Sequence, residues 1–174
     1  SALTGLAPST TYYYHAYATN NGGTAYGAQG SFVTATPILS SSTLTGFGNV
    51  CINTTAGPNS FTITGTNLTT ANVTVAALAG FTYATTAGGT YTTPLSLTHP
   101  SGAYSQQIFV RFTPTLVQSY NGNIAVGGGG GSTVNVAATG AGVNTAPSVT
   151  SGAASAITQT TATVAGTIPA NGCT

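Results

Sequence analysis

Tyr12-Tyr13-Tyr14-His15-Ala16-Tyr17-Ala18, then Asn20-Asn21-Gly22-Gly23, then Thr24-Ala25-Tyr26-Gly27 through Ser31-Phe32-Val33-Thr34, is the stretch that decides the class of fold. Aromatic and β-branched residues favour a pleated, extended backbone whose successive side chains point to opposite faces. Tyr12, Tyr14, Ala16 and Ala18 therefore share one face, and Tyr13, His15 and Tyr17 share the other. The Asn and Gly residues between the two runs tolerate a tight turn, so a hairpin is predicted. Outward from it the same grammar continues along the chain. Apolar residues alternate at period two, turn clusters return about every eight to twelve residues, and helical periodicity is nearly absent, which predicts an all-β chain of packed sheets.

The composition supports a folded chain and narrows what it can do. The 174 residues are 41% hydrophobic with a mean hydropathy of +0.25, enough apolar material for a core. Charge is nearly missing: one Lys or Arg, no Asp or Glu, two His, and only 1% charged residues, where an ordinary domain has about a quarter. Without carboxylates, paired-acid glycoside hydrolysis, Ser-His-Asp chemistry and oxygen-rich calcium or magnesium sites all lack their residues. Arg111 alone cannot neutralise a phosphate backbone, so nucleic acid is not an expected partner. No enzyme and no cofactor are expected. No apolar run approaches the roughly 20 residues of a bilayer span. Residues 1–5 show no basic segment leading into an apolar run, which is the expectation for a mature or excised chain. A surface so short of charge favours association, and needs either attached glycans or regular polymerisation to be tolerated.

A resemblance appears at both ends. Leu6-Ala7-Pro8-Ser9-Thr10-Thr11-Tyr12, with the strand after it, resembles the second half of a fibronectin type III domain, residues 1–36. The resemblance implies that Tyr12 is a tyrosine corner, its phenol bonded to backbone upstream. Residues 144–174 resemble the first half of the same family, through Ala146-Pro147-Ser148-Val149-Thr150 and Thr161-Ala162-Thr163-Val164-Ala165-Gly166-Thr167-Ile168, with a turn at Asn171-Gly172. Between them, residues 37–143 should form a complete domain of about eight strands, at 38–47, 59–65, 73–78, 81–85, 91–98, 107–112, 120–126 and 133–139. There, Ser60-Phe61-Thr62-Ile63-Thr64-Gly65-Thr66-Asn67-Leu68, Ile108-Phe109-Val110-Arg111-Phe112-Thr113-Pro114 and Ser119-Tyr120-Asn121-Gly122-Asn123-Ile124 resemble the immunoglobulin-like, choice-of-anchor type repeats of large bacterial surface and secreted proteins. The expected architecture is immunoglobulin-like and fibronectin type III-like β-sandwiches in tandem. The glycine run 127–131 reads as a flexible hairpin tip.

Few residues carry chemistry. Cys51 and Cys173 can bridge within the chain, bridge successive copies, or remain as two buried thiols. His15 and His99 with these cysteines make a poor ligand set, and no metal site is expected. Arg111 shares a strand face with Phe109, which allows stacking on an aromatic ring. It can also grip an acidic sugar or a chain carboxylate at a joint, but the favoured expectation is a solvated side chain whose stem covers apolar surface. Tyr13, His15, Tyr17 and Tyr26 form an outward row suited to a protein contact or to sugar rings. Asn53, Asn67 and Asn72 begin the three Asn-x-Thr acceptors for glycans. The expected role is a structural repeat or protomer of an extracellular filament or surface stalk, secreted and glycosylated, joined head to tail to copies of itself by completing the split fibronectin-like domain. The alternative is a carbohydrate-binding or adhesive module of a secreted bacterial protein.

Overall fold

The computed structural model describes residues 2–98, 102–170 and 172–173. Sixteen strands run through these residues in three groups, with no helix among them. The first group is a two-stranded ribbon. β1 (Thr11–Tyr14) pairs with β4 (Gly30–Val33), and β2 (Tyr17–Asn20) pairs with β3 (Gly23–Tyr26). Tyr14 lies opposite Gly30 whereas Tyr17 lies opposite Tyr26, so the returning strand carries one extra residue between them. The two pairs are separate two-stranded sheets, linked by the Gly27 N–H donating to the Ala16 carbonyl at 2.7 Å.

Residues 37–143 build a sandwich. One sheet has the order β5 (Ile38–Ser41), β7 (Ala56–Leu68), β11 (Gly102–Phe112), β9 (Phe81–Ala84). The facing sheet has the order β10 (Leu95–Leu97), β8 (Val73–Val75), β12 (Gly122–Gly128), β13 (Gly131–Ala138). Alternation decides what goes inside. Phe61 and Ile63 of β7, with Ile108, Val110 and Phe112 of β11, meet Val73, Val75, Ile124 and Val126 of the other sheet in one buried cluster. Each of these side chains contributes about 1.5–3 kcal/mol through its removal from water. The outward positions of the first sheet are hydroxyls and amides that pair across strands, as in Ser40 with Thr64 at 2.7 Å and Gln107 Nε2 donating to Ser60 Oγ at 3.0 Å. An uncharged sheet face is satisfied in this way.

Breaks in the alternation have local causes. Asn67 holds φ +54, and the register between β7 and β11 shifts beside it. The shift turns Leu68 inward, where its side chain covers Gly65. The strand expected at 38–47 ends at Ser41. Beyond it the chain leaves the sheet edge, Leu44 and Phe47 pack on the core, and a short strand β6 (Asn49–Cys51) pairs in parallel with β14 (Ala141–Val143). The segment expected at 91–98 is reduced to an isolated bridge from Thr92 to Tyr83 and the short strand β10, with Pro94, which has no N–H to offer a ladder, between them. Glycines 127–131 are not a loose tip. Gly128 pairs with Gly131, Gly129 and Gly130 take φ +59 and +77 in a two-residue turn, and the Gly129 carbonyl accepts the Thr69 N–H at 2.9 Å.

The third group is the pair β15 (Ser148–Ser151) and β16 (Gly166–Ala170), antiparallel, with an isolated bridge between Ser155 and Thr163.

Candidate functional site

The N-terminal ribbon carries two unlike groups of rings. In one, Tyr12 stacks on Phe32 with centroids 5.7 Å apart, and Tyr14 tilts against the same ring at 6.4 Å. The Ala7 N–H donates to the Tyr12 phenol oxygen at 2.8 Å, tying the incoming chain to the strand that follows. In the other, Tyr17 and Tyr26 lie directly across from each other, 6.0 Å apart and tilted by 40°. Both are 71% exposed. The His15 ring meets Tyr26 edge-on at 6.4 Å, and its Nδ1–H donates to the Gly27 carbonyl at 3.0 Å. Tyr13 lies on β1, opposite Ser31, outside the pair of β2 and β3. The structure therefore groups His15, Tyr17 and Tyr26, and leaves Tyr13 outside the group.

The C-terminal pair also leaves apolar side chains open to solvent. Val149, Val164 and Ile168 are 68%, 79% and 62% exposed. Val149 and Ile168 lie on β15 and β16 where the register between the strands shifts, and Val164 lies just before β16.

Cys51 and Cys173 form a disulfide with Cα atoms 5.4 Å apart. Cys51 ends β6 beside Val143, and the Cys173 N–H donates to the Thr145 carbonyl at 2.8 Å. The bridge thus ties β6 to the end of the C-terminal pair, where the chain leaves the central sandwich.

The remaining candidates are dispersed. Asn53, Asn67 and Asn72 are all exposed. Asn53, like Asn67, holds a positive φ, at +61. Asn67 Nδ2 donates to the Thr36 carbonyl at 3.4 Å, and Asn72 Nδ2 donates to Ser96 Oγ at 3.2 Å. Arg111 lies over the Tyr91 ring, 4.1 Å from its centroid. Its aromatic partner is thus Tyr91, from the segment leading into β10. His99 lies outside the described residues. Among the described residues no three of His, Cys, Asp and Glu gather at one place, and no helix is long and apolar enough to cross a membrane.

Two features were missed in the sequence. Tyr120 makes a second phenol-to-backbone tie: the N–H groups of Thr115 and Leu116 donate to its oxygen at 3.0 and 2.9 Å, and the Thr115 hydroxyl lies at 3.3 Å. The Thr115 hydroxyl and these amides favour the phenolate, holding Tyr120 below the usual phenol range. The signal was present, since Tyr120 follows Thr115 by the same five residues that separate Tyr12 from Ala7. The other is Tyr83, whose hydroxyl is buried with no hydrogen-bond partner among the described residues. No local sequence signal announces that.

Taken together, the described residues define an all-β protein of the sandwich class, with a two-stranded piece before and after the sandwich. No protein-family model and no curated protein matches the chain.

Proposed function

We propose that this chain is a structural repeat or protomer of an extracellular filament or surface stalk, joined head to tail. The observation that carries the reading is the pair of uncovered half-sheets. Tyr12, Tyr14 and Phe32 gather on the ribbon, and Val149, Val164 and Ile168 stand exposed along the C-terminal pair. Both are apolar surfaces of the kind that a sandwich buries against a second sheet. Their likeness to the last and first strands of a fibronectin type III domain supports the idea that one unit's end meets the next unit's beginning. The immunoglobulin-like sandwich between them would then act as the spacer. Contacts that repeat without closing on themselves yield a fibre.

The near absence of charge fits a protein whose surface is sugared or covered by copies of itself. Asn53, Asn67 and Asn72 are exposed and so accessible to a glycan-transferring enzyme. The chain has no Asp or Glu with which to build acid–base chemistry, which supports a non-enzymatic role. Electron microscopy of the native material tests the reading. Fibres with one repeat per chain, residues 1–36 of each unit lying on 144–174 of its neighbour, and extra density on the three asparagines are expected. A chain that remains monomeric and bare at high concentration sinks it.

A second reading rests on the exposed trio of Tyr17, Tyr26 and His15, whose rings offer apolar surface and hydrogen-bonding groups together to a sugar. Glycan binding that disappears in a Tyr17→Ala/Tyr26→Ala variant, with assembly unaffected, supports it over the first.

A further inference from the structure

The Cys51–Cys173 disulfide closes a loop whose ends are 122 residues apart and which takes in every strand from β7 to β16. The fold fixes the position of the bridge from both sides. Cys51 is paired in register with Val143, the last residue of β14. The returning chain is held to the same joint: Cys173 bonds the Thr145 carbonyl, and Gly172, at φ +66, lies so close to residues 145–147 that a Cβ would meet their backbone. The outgoing end of the chain is thereby joined covalently to a residue near the entrance of the central sandwich.

Tension applied to the two ends of a chain travels along its shortest covalent path. With the bridge closed, that path runs from residue 1 through β5 and β6 to Cys51, crosses the two sulfurs and leaves after Cys173. The strands carrying Phe61, Ile63, Ile108, Val110 and Phe112 lie off it, as does the C-terminal pair. We infer that the disulfide is a load bypass. A pulled chain gives way only within residues 1–51, beginning with the exposed ribbon and the edge strand β5, while the core-bearing strands stay out of the line of force. Reduction of the bridge removes the bypass and places the whole sandwich under load. The bypass follows from the connectivity; its use in a stalk rests on the tandem reading above.

Single-molecule force spectroscopy on the full 174-residue chain, held by handles at its two ends, tests this. An extended residue spans about 3.3–3.6 Å, so freeing a loop of 122 residues adds about 400 Å to the chain's reach. The chain should be shorter by that length in oxidising buffer than with a thiol reductant. The Cys51→Ser/Cys173→Ser variant should reach the long extension in both buffers. An oxidised wild-type chain that already extends fully, or copies cross-linked through these cysteines on a non-reducing gel, overturns the inference. A chain that shows the bypass but never assembles refutes the tandem reading alone. Assemblies whose oxidised chains stretch to full length refute the bypass alone.

Discussion

Replacing Tyr83 by phenylalanine should make this protein more stable, and the reason is a single oxygen atom. Tyr83 sits on β9 with no exposed surface, and its hydroxyl has no hydrogen-bond partner among the described residues. Burying a hydroxyl without a partner costs about 1–3 kcal/mol by mutational measures, while the ring itself packs like any aromatic. Phenylalanine keeps the ring and removes the cost, so the unfolding free energy should rise by about 1 kcal/mol or more. For a chain of this size that is a rise of about 2–4 °C in Tm. The alkaline limb of the stability curve gives an independent check. Burial pushes the Tyr83 phenol up to about 12 from 10.0, and the Leu78 backbone opposes this without reaching hydrogen-bond geometry.

A raised phenol pKa means that the folded state holds the proton more tightly than the unfolded chain. The corresponding stability is complete below pH 10 and is lost as the pH climbs towards 12. Tyr83→Phe should remove that part of the slope, leaving the loss from Tyr104, whose pKa is also raised by burial, and the opposing gain from Tyr120, whose pKa is lowered. Urea denaturation of both proteins between neutral pH and pH 12 is the assay. A variant that is less stable at neutral pH with an unchanged denaturant slope, or one with the wild-type alkaline loss, refutes the reasoning.

The other predictions concern ties and turns. Tyr120→Phe should speed hydrogen exchange of the Thr115 and Leu116 amides, because their shared acceptor is gone, and unchanged exchange would show that the phenol oxygen does not hold them. Gly128 holds φ +117 and an added Cβ would fall on the Asn72 carbonyl, so Gly128→Ala should cost about 1–3 kcal/mol or more in thermal unfolding. Gly127→Ala, with a normal φ and only the Thr133 hydroxyl close by, should cost clearly less. With Cys51 and Cys173 separated by 122 residues, the Cys51→Ser/Cys173→Ser variant should lose about 4–5 kcal/mol on a chain-entropy account, read as a lower denaturant midpoint under oxidising conditions.

Sequence reasoning reached some of these features and not others. Strand faces were legible because side-chain direction in a strand follows from position alone. The run from Tyr12 to Ala18 is nevertheless not one strand: it breaks at His15 and Ala16 into β1 and β2, which belong to different two-stranded sheets. The extra residue between Tyr26 and Gly30 was not legible, yet it decides that Tyr26 meets Tyr17. Stacking on an aromatic ring was one of the readings open to Arg111, but which ring depended on where the segment around Tyr91 folded back. The parallel pair of β6 and β14 joins residues far apart in the chain, and two three-residue strands carry too little pattern to be seen.

What the sequence determined by itself is the all-β class, the strands with strong alternation such as those around Ile63 and Val110, and the near absence of charge with the chemistry that this excludes. These are local or compositional properties, set by pleat geometry and by the side chains available. Only the tertiary structure decided which of the alternatives open to Cys51 and Cys173 is realised, where Leu68 points, and that Tyr83 carries its hydroxyl into the core unpaired among the described residues. Those outcomes depend on which distant backbones meet, and pairing across long loops is fixed by the joint packing of two sheets. No window of neighbouring residues contains that information.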